Sequence, residues 1–498
     1  MLGLIGVILS LVLLIFFAYR GVNVLVLAPL CALFATVFAA GPLLATYTQV
    51  FMPALGKYAI TYFPLFLLGA IFGKLMDDSG SARSIAHAIV DKLGAQRAIL
   101  AIVLSCGILT YGGVSLFVVA FAVFPIAAAL FREADVPKRL IPGAIALGSF
   151  TFTMTALPGT PAIQNAISNP FFGTNAFAAP VLGIIAGVIM LGGGMAWLTW
   201  RARQAAAAGE GYDNGPLMQA GNTGTVVSGA GGHGGTADAD GEPADQRDGA
   251  EAEGGSVATR VRAQVRTPFA VAMAPILVVI VLNYVLVNYV FPAMDTSYLS
   301  QKAYGPTDLK TVGGIWAIIA ALVAACVLIL ALNWRRLEDT KRSINEGTMG
   351  SLLPIFNTAS EVGYGAVIAS LPAFAMIRDA VLGISGNPVI NLAVAVNVLA
   401  GITGSASGGM SIALQTLGET FREQAVAQGI SLEFMHRVTA ISSGGFDALP
   451  HNGAVITLLA ITGLSHKQSY KDIGVVAVVV PVIALIVIIA LGSVFGGI

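Results

Sequence analysis

Few residues in this chain can do chemistry inside its apolar body. Asp447 and His451 stand four apart, the spacing that brings two side chains onto one helix face. A paired histidine can take up and release a proton near neutral pH, the property that proton symport requires. The bland reading of the same pair is a helix cap, Asp447, beside a static hydrogen bonder, His451. Glu361, in SerGluValGlyTyrGly, is the third ionisable side chain deep in an apolar run. Such residues are functional candidates by default, although Glu361 also reads as an interhelical contact. The three are therefore the candidates for coupling an ion: a proton, with sodium as the alternative.

Small polar residues and glycines gather at four points. Thr110, Gly112, Gly113 and Ser115 belong to ThrTyrGlyGlyValSer at 110–115, and Ser405, Ser407 and Gly408 to ThrGlySerAlaSerGlyGly at 403–409. Gly159 and Thr160 lie in LeuProGlyThrPro at 157–161, shortly before Gln164 and Asn165; His451 and Asn452 lie in LeuProHisAsnGly at 449–453. Proline removes a donor and glycine frees the backbone, so the last two points should each split a helix. The freed N–H groups and helix N-termini favour an anion, and hydroxyls and amides suit a hydroxylated carboxylate. The competing explanation is that Ser and Thr bond back to their own helix and Pro and Gly merely kink it. Four interruptions at matched positions favour the binding reading.

No catalytic set and no metal site accompany these residues. There is no HisGluxxHis sequence, and Asp447 has no second Asp at comparable depth. Cys31, Cys106 and Cys326 sit inside apolar runs without metal or disulfide spacing, so they read as small packing residues. We therefore expect no enzyme and no cofactor. A membrane hydrolase and a passive channel stand as alternatives from other classes; saturating uptake would exclude the channel.

The elements that position these residues follow from composition. Of 498 residues 56% are apolar and 10% charged, against about 25% charged in soluble domains. So little charge cannot build a water-facing surface, so most of this one faces lipid, and nucleic acid is no partner. Apolar runs near 2–18, 23–40, 58–73, 140–168, 177–199, 268–292, 312–334, 350–376, 434–463 and 473–496 can each cross a bilayer core of ~30 Å. The first reads as a spanning helix, since it has no basic flank or cleavage site of a signal peptide. Runs 98–130 and 389–420 would be roughly 50 Å long as straight helices, and each has its glycine cluster at the centre. They read as re-entrant hairpins.

Segment 204–259 holds nine acids and one base, Arg247, and reads as a disordered cytoplasmic linker rich in Gly and Asp; His233 within it is idle. Its removal leaves 25 bases against 17 acids in the apolar body. PheArgGlu recurs at 131–133 and 421–423, each time after a glycine-rich centre and before a LeuPro break. This is an internal duplication: a first repeat at 1–203 and a second at 260–498. With both termini outside, 19 bases lie on the inner face and six, Arg437 among them, on the outer. An odd number of spans per half inverts the second repeat. The expected fold is an all-α polytopic membrane protein of two inverted repeats, with about ten transmembrane helices, two re-entrant hairpins and two discontinuous helices. It sits in a bacterial-type inner membrane.

Residues 111–115, PheProIleAla at 124–127 and the stretch 137–165 ending ProGlyThrProAlaIleGlnAsn resemble the GntP-type permeases of the ion transporter superfamily. HisArgValThrAlaIleSerSerGlyGlyPheAspAlaLeuProHisAsnGlyAla at 436–454 is similar to their second-repeat motif. The resemblance covers nearly the whole chain except the linker. It implies scaffold portions (1–76 and 268–376), transport portions (98–200 and 388–498), elevator-like movement and a homodimer. It also implies proton-coupled uptake of a small organic anion such as gluconate, 3-hydroxybutyrate or lactate.

Overall fold

A computed structural model describes residues 2–20, 22–213, 267–304, 307–337, 339–450 and 452–495. Every regular element among them is a helix. Most of the expected 204–259 linker lies outside the described residues. Its first ten residues do not match the expectation: the preceding helix runs on to Ala207, and Glu210 and Tyr212 are held against the body.

The order of helices is α1 (Leu2–Tyr19), α2 (Val24–Phe38), α3 (Leu43–Asp78), α4 (Ser81–Leu93), α5 (Ala98–Tyr111), α6 (Leu116–Glu133), α7 (Ile141–Ser149), α8 (Phe152–Thr155), α9 (Ile163–Phe172) and α10 (Pro180–Ala207). The chain resumes with α11 (Phe269–Ala293), α12 (Leu309–Asn333), α13 (Thr340–Ser370), α14 (Phe374–Leu382), α15 (Pro388–Thr403), α16 (Ala406–Ala427), α17 (Leu432–Ser443), α18 (Gly453–Thr462) and α19 (His466–Phe495). Five of these, α3, α10, α11, α12 and α19, are long and apolar enough to cross a membrane, and α4–α5 and α13–α14 are apolar pairs bent by 106° and 95°. The protein is thus a multi-pass helical membrane protein. Large side chains such as Leu44, Ile60, Val188 and Trp334 point outward. In water they would be a liability; against lipid tails their exposure costs nothing.

Contacts trace two sets of neighbouring helices that share one continuous core. α3 packs along α13, with α2 on α13, α12 on α3 and α11 on α12. Elsewhere α5 folds back on α6 and meets α7, α15 folds back on α16 and meets α17, and α10 lies along α19. Small residues permit these close approaches: a Cβ on Gly347 would meet the Ile71 backbone at 2.8 Å, where α13 crosses α3. The groups touch where α13 meets α16, α9 meets α12 and α6 meets α3.

Both long runs are hairpins, turning at 112–115 and at Gly404–Ser405. Gly113 (φ +94°) and Gly404 (φ +64°) take backbone conformations that a side chain would strain, which is why the turns fall there. Both LeuPro segments are real interruptions. The first is wider than expected, since helix is lost from Phe150 and returns only as the single turn α8 before α9. The second runs from Gly444 to Asn452.

Candidate functional site

Each hairpin tip is tied to one interruption. Tyr111 Oη, at the first tip, donates to the Pro158 carbonyl at 2.7 Å, and Gly113 lies against the Pro161 ring. At the second tip the polarity is exchanged: Asn452 Nδ2 donates to the Gly404 carbonyl at 2.6 Å. Asn452 also caps α18, its Oδ1 accepting from the Ala454 and Val455 N–H groups. The protein itself therefore satisfies much of the backbone freed by the breaks. Gly159 N–H bonds to Ala176, Asn165 Nδ2 donates to the Thr160 carbonyl, and Tyr470 Oη donates to Ala448.

The sequence candidates are accordingly not equivalent. Thr160 and Asn165 are fully buried, and Asn165 uses both ends of its amide on protein. Gln164 is buried beside them. Gly112 is pressed against Ile276 of α11, and Gly159 (φ +81°) against the Phe177 ring. Ser115 opens α6 without a side-chain capping bond, and Thr110 Oγ1 is buried with no partner. Ser405 does cap: its Oγ accepts from Gly408 N–H at 3.0 Å, and Ser407 and Gly408 form the first turn of α16. Asp447 does not cap a helix as the bland reading had it. It sits in the short turn Phe446–Ala448, buried, with Oδ1 unpartnered. His451 lies outside the described residues.

Glu361 proves central where the sequence left it apart from the four interruptions. It projects from α13 onto the second tip, so close that a Cβ on Gly408 would overlap Glu361 Oε2; Ser405 Oγ is 3.0 Å from the same point. Its neighbour Thr358 meets Ser407, Oγ1 to Oγ at 3.4 Å. Ser411 and Tyr58 complete a polar cluster: Ser411 faces Tyr58 and Ser405 faces Glu361, but Glu361 Oε2, Ser411 Oγ and Tyr58 Oη are buried without a hydrogen bond of full geometry.

Sequence reasoning missed two buried groups and misplaced one of them. Arg437, expected on the outer face, is wholly buried in α17. Its Nε and Nη2 donate to the Ala178 carbonyl at 3.1 and 2.8 Å, Nη2 also to Ala176 at 3.2 Å, and Nη1 to Asn165 Oδ1 at 3.1 Å. The reason is packing: α17 lies against α9, so position 437 faces the loop that follows α9 rather than water. His436, also fully buried, pairs Nδ1 with Thr174 Oγ1 at 2.7 Å. The available signal was HisArg inside an apolar run, which no surface loop explains.

A second charged cluster closes one end of this group of helices. Arg139 forms a bidentate pair with Glu210 (2.6 and 2.8 Å) and reaches Asp472 at 3.1 Å; Arg201 and Trp197 also donate to Asp472. The bond from Arg139 holds the Glu210 carboxyl below its ordinary range.

Comparison with known proteins points to transporters. Residues 1–206 match the sequence profile of the GntP family permeases. An uncharacterized transporter of Bacillus subtilis (strain 168), YxjC, is 43% identical over 499 residues, covering 99% of both chains. A high-affinity gluconate transporter of Escherichia coli (strain K12) is 33% identical over 127 residues, 25% of this chain and 27% of that protein. An uncharacterized transporter of Haemophilus influenzae is 40% identical over 87 residues, 17% of this chain and 21% of its own.

Proposed function

The chain belongs to the GntP permease family and is a transporter, and on that premise we propose that it takes up a small organic hydroxycarboxylate together with a proton. Gluconate, lactate and 3-hydroxybutyrate are the first substrates to test. The supporting observation is the pair of tip-to-break junctions, Tyr111–Pro158 and Asn452–Gly404, each at the end of a hairpin beside a broken helix. Broken helices present N–H groups to an anion at membrane depth while water is kept out.

In this reading the repeats are inverted, with about ten spans and two hairpins. The helices of 98–200 and 388–498 move as an elevator against a scaffold of 1–76 and 268–376. The protein forms a homodimer in a bacterial inner membrane, with both termini outside and 204–259 on the cytoplasmic side. Substrate meets Thr110, Gly112, Gly113 and Ser115 at one tip and Ser405, Ser407 and Gly408 at the other. Gly159, Thr160, Gln164, Asn165, His451 and Asn452 shape the breaks between them. The proton is carried within the set Glu361, Asp447 and His451. Arg437 adds a fixed positive charge next to the first break, which favours an anion there.

The test is uptake of radiolabelled gluconate, lactate and 3-hydroxybutyrate into proteoliposomes, with and without an inward proton gradient. Saturable uptake of at least one acid, stimulated by that gradient, is expected. Stimulation by a sodium gradient and not by protons overturns the coupling assignment; linear, non-saturating flux overturns the carrier.

A further inference from the structure

The start of α16 is an anion position beside which the protein has placed a carboxylate of its own. The first N–H groups of a 22-residue helix lack intrahelical partners and carry the positive end of its dipole. Glu361 Oε2 lies against Gly408 in that first turn, with Ser405 Oγ beside it. The carboxylate arrives from another helix, α13, across the contact between the two groups of helices. Oε2 is buried without a hydrogen bond of full geometry. An ionised carboxylate held this way is expensive unless something neutralises it.

Among the described residues of the helices packed there, no cation faces Glu361. α3 offers Tyr58 and Tyr62, with Lys57 exposed; α2 offers Cys31 alone. α16 has no titratable side chain before Glu419, and Tyr364, one turn along α13, is engaged with Ser10. The second break, tied to this tip through Asn452, brings the acid Asp447 and, outside the described residues, His451; a proton is taken as the neutralising agent.

We propose that Glu361 is a tethered competitor for the anion position at the second tip, so that a substrate carboxylate occupies Ser405–Gly408 only when Glu361 is protonated. The proposal rests on the carboxylate-uptake reading and adds its coupling rule. Two carboxylates cannot share one helix start without strong repulsion. A proton from solution adds to Oε2, the repulsion that the carboxylate exerts across the first turn of α16 is removed, and the incoming anion binds there. Proton and anion binding are then linked one to one, and the linkage is reciprocal. The absence of a side chain at Gly408 leaves the space that Oε2 occupies; a Cβ there would push the carboxylate aside.

The experiment measures binding and transport of whichever of gluconate, lactate and 3-hydroxybutyrate the wild type accumulates. In the wild type, Kd rises about tenfold per pH unit on the alkaline side, and one proton is taken up per anion, read by calorimetry in buffers of different ionisation enthalpy. Glu361→Gln binds with a Kd constant within about twofold from pH 6 to 8. It keeps exchange of labelled for unlabelled substrate but loses gradient-driven accumulation. Glu361→Asp, one methylene shorter, competes less and binds more tightly than wild type at pH 8. A Glu361→Gln protein that retains the pH slope of Kd overturns the proposal, as does a Glu361→Asp protein that binds more weakly at pH 8. Failure of the wild type to take up any of the three acids instead overturns the carboxylate reading itself, and the proposal with it.

Discussion

Arg437 carries a full positive charge into a site where its partners are two backbone carbonyls and one amide oxygen, with no carboxylate at ion-pair distance among the described residues. The guanidinium organises rather than neutralises. It ties the loop at 176–178 to α17 and fixes the amide of Asn165, whose other end holds the Thr160 carbonyl. Replacement by Met takes both donors from the Ala178 carbonyl, an unsatisfied buried acceptor costing roughly 1–3 kcal/mol, while the Ala176 carbonyl keeps Gly159 N–H and Asn165 Oδ1 keeps His436 Nε2. Arg437→Met should therefore lose about 1–3 kcal/mol of stability, seen as a fall in melting temperature of the purified protein. Arg437→Lys, which keeps the charge but not the fork of donors, should recover only part of it. The sequence reading counted this residue as a surface cation because a positive charge usually lies in a loop; its real place depends on which face of α17 meets α9.

Among the elements, the discontinuous helices are defined by local chemistry and closed by distant partners. LeuPro followed by Gly or His-Asn cannot remain helical, so both breaks were legible in the sequence; the Tyr111 and Asn452 bonds that close them join residues 47 and 48 apart. Asn452→Ala removes both the α18 cap and the link to Gly404. We expect uptake to fall at least tenfold while folded protein is retained, checked by transport rate against size-exclusion yield.

The Arg139–Glu210–Asp472 cluster is the corresponding device at the helix ends, joining the α6–α7 turn, the chain after α10, and α19. Because Glu210 has a lowered pKa in the folded state, its pair contributes stability above the ordinary carboxylate pKa of 4.5. That contribution is lost as pH falls through the lowered value. Glu210→Gln should cost about 2 kcal/mol at pH 7. The difference from wild type should shrink progressively once the pH drops below 4.5, as followed by thermal melts across pH.

For the whole molecule, the contact that matters is the one between α13 and α16, where Thr358, Glu361 and Tyr58 face Ser407, Gly408 and Ser411. A polar seam between two otherwise apolar groups of helices suits relative movement, since exchanging hydrogen-bond partners costs little when each position offers another. If the groups move during transport, a crosslink must stop them. Thr358→Cys with Ser407→Cys, whose hydroxyls now stand 3.4 Å apart, should lose uptake on oxidation and regain it on reduction. Full activity of the oxidised pair would show that these helices stay together through the cycle. The three native cysteines are buried and do not compete for the bond.

The sequence by itself determined the membrane class, the two hairpins and the two breaks. Each follows from a quantity counted along the chain: too little charge for a water-facing surface, apolar runs longer than a bilayer, and Pro–Gly segments that no helix tolerates. Tertiary structure alone decided which polar group faces which. Arg437 meets carbonyls some 259 positions away, and Glu361 reaches the tip of a hairpin two helices further on. These pairings depend on helix rotation and on how closely glycines let backbones approach. Hydropathy along a chain does not encode rotation when nearly every face is apolar, so the chemistry of the site became visible only once the helices were packed.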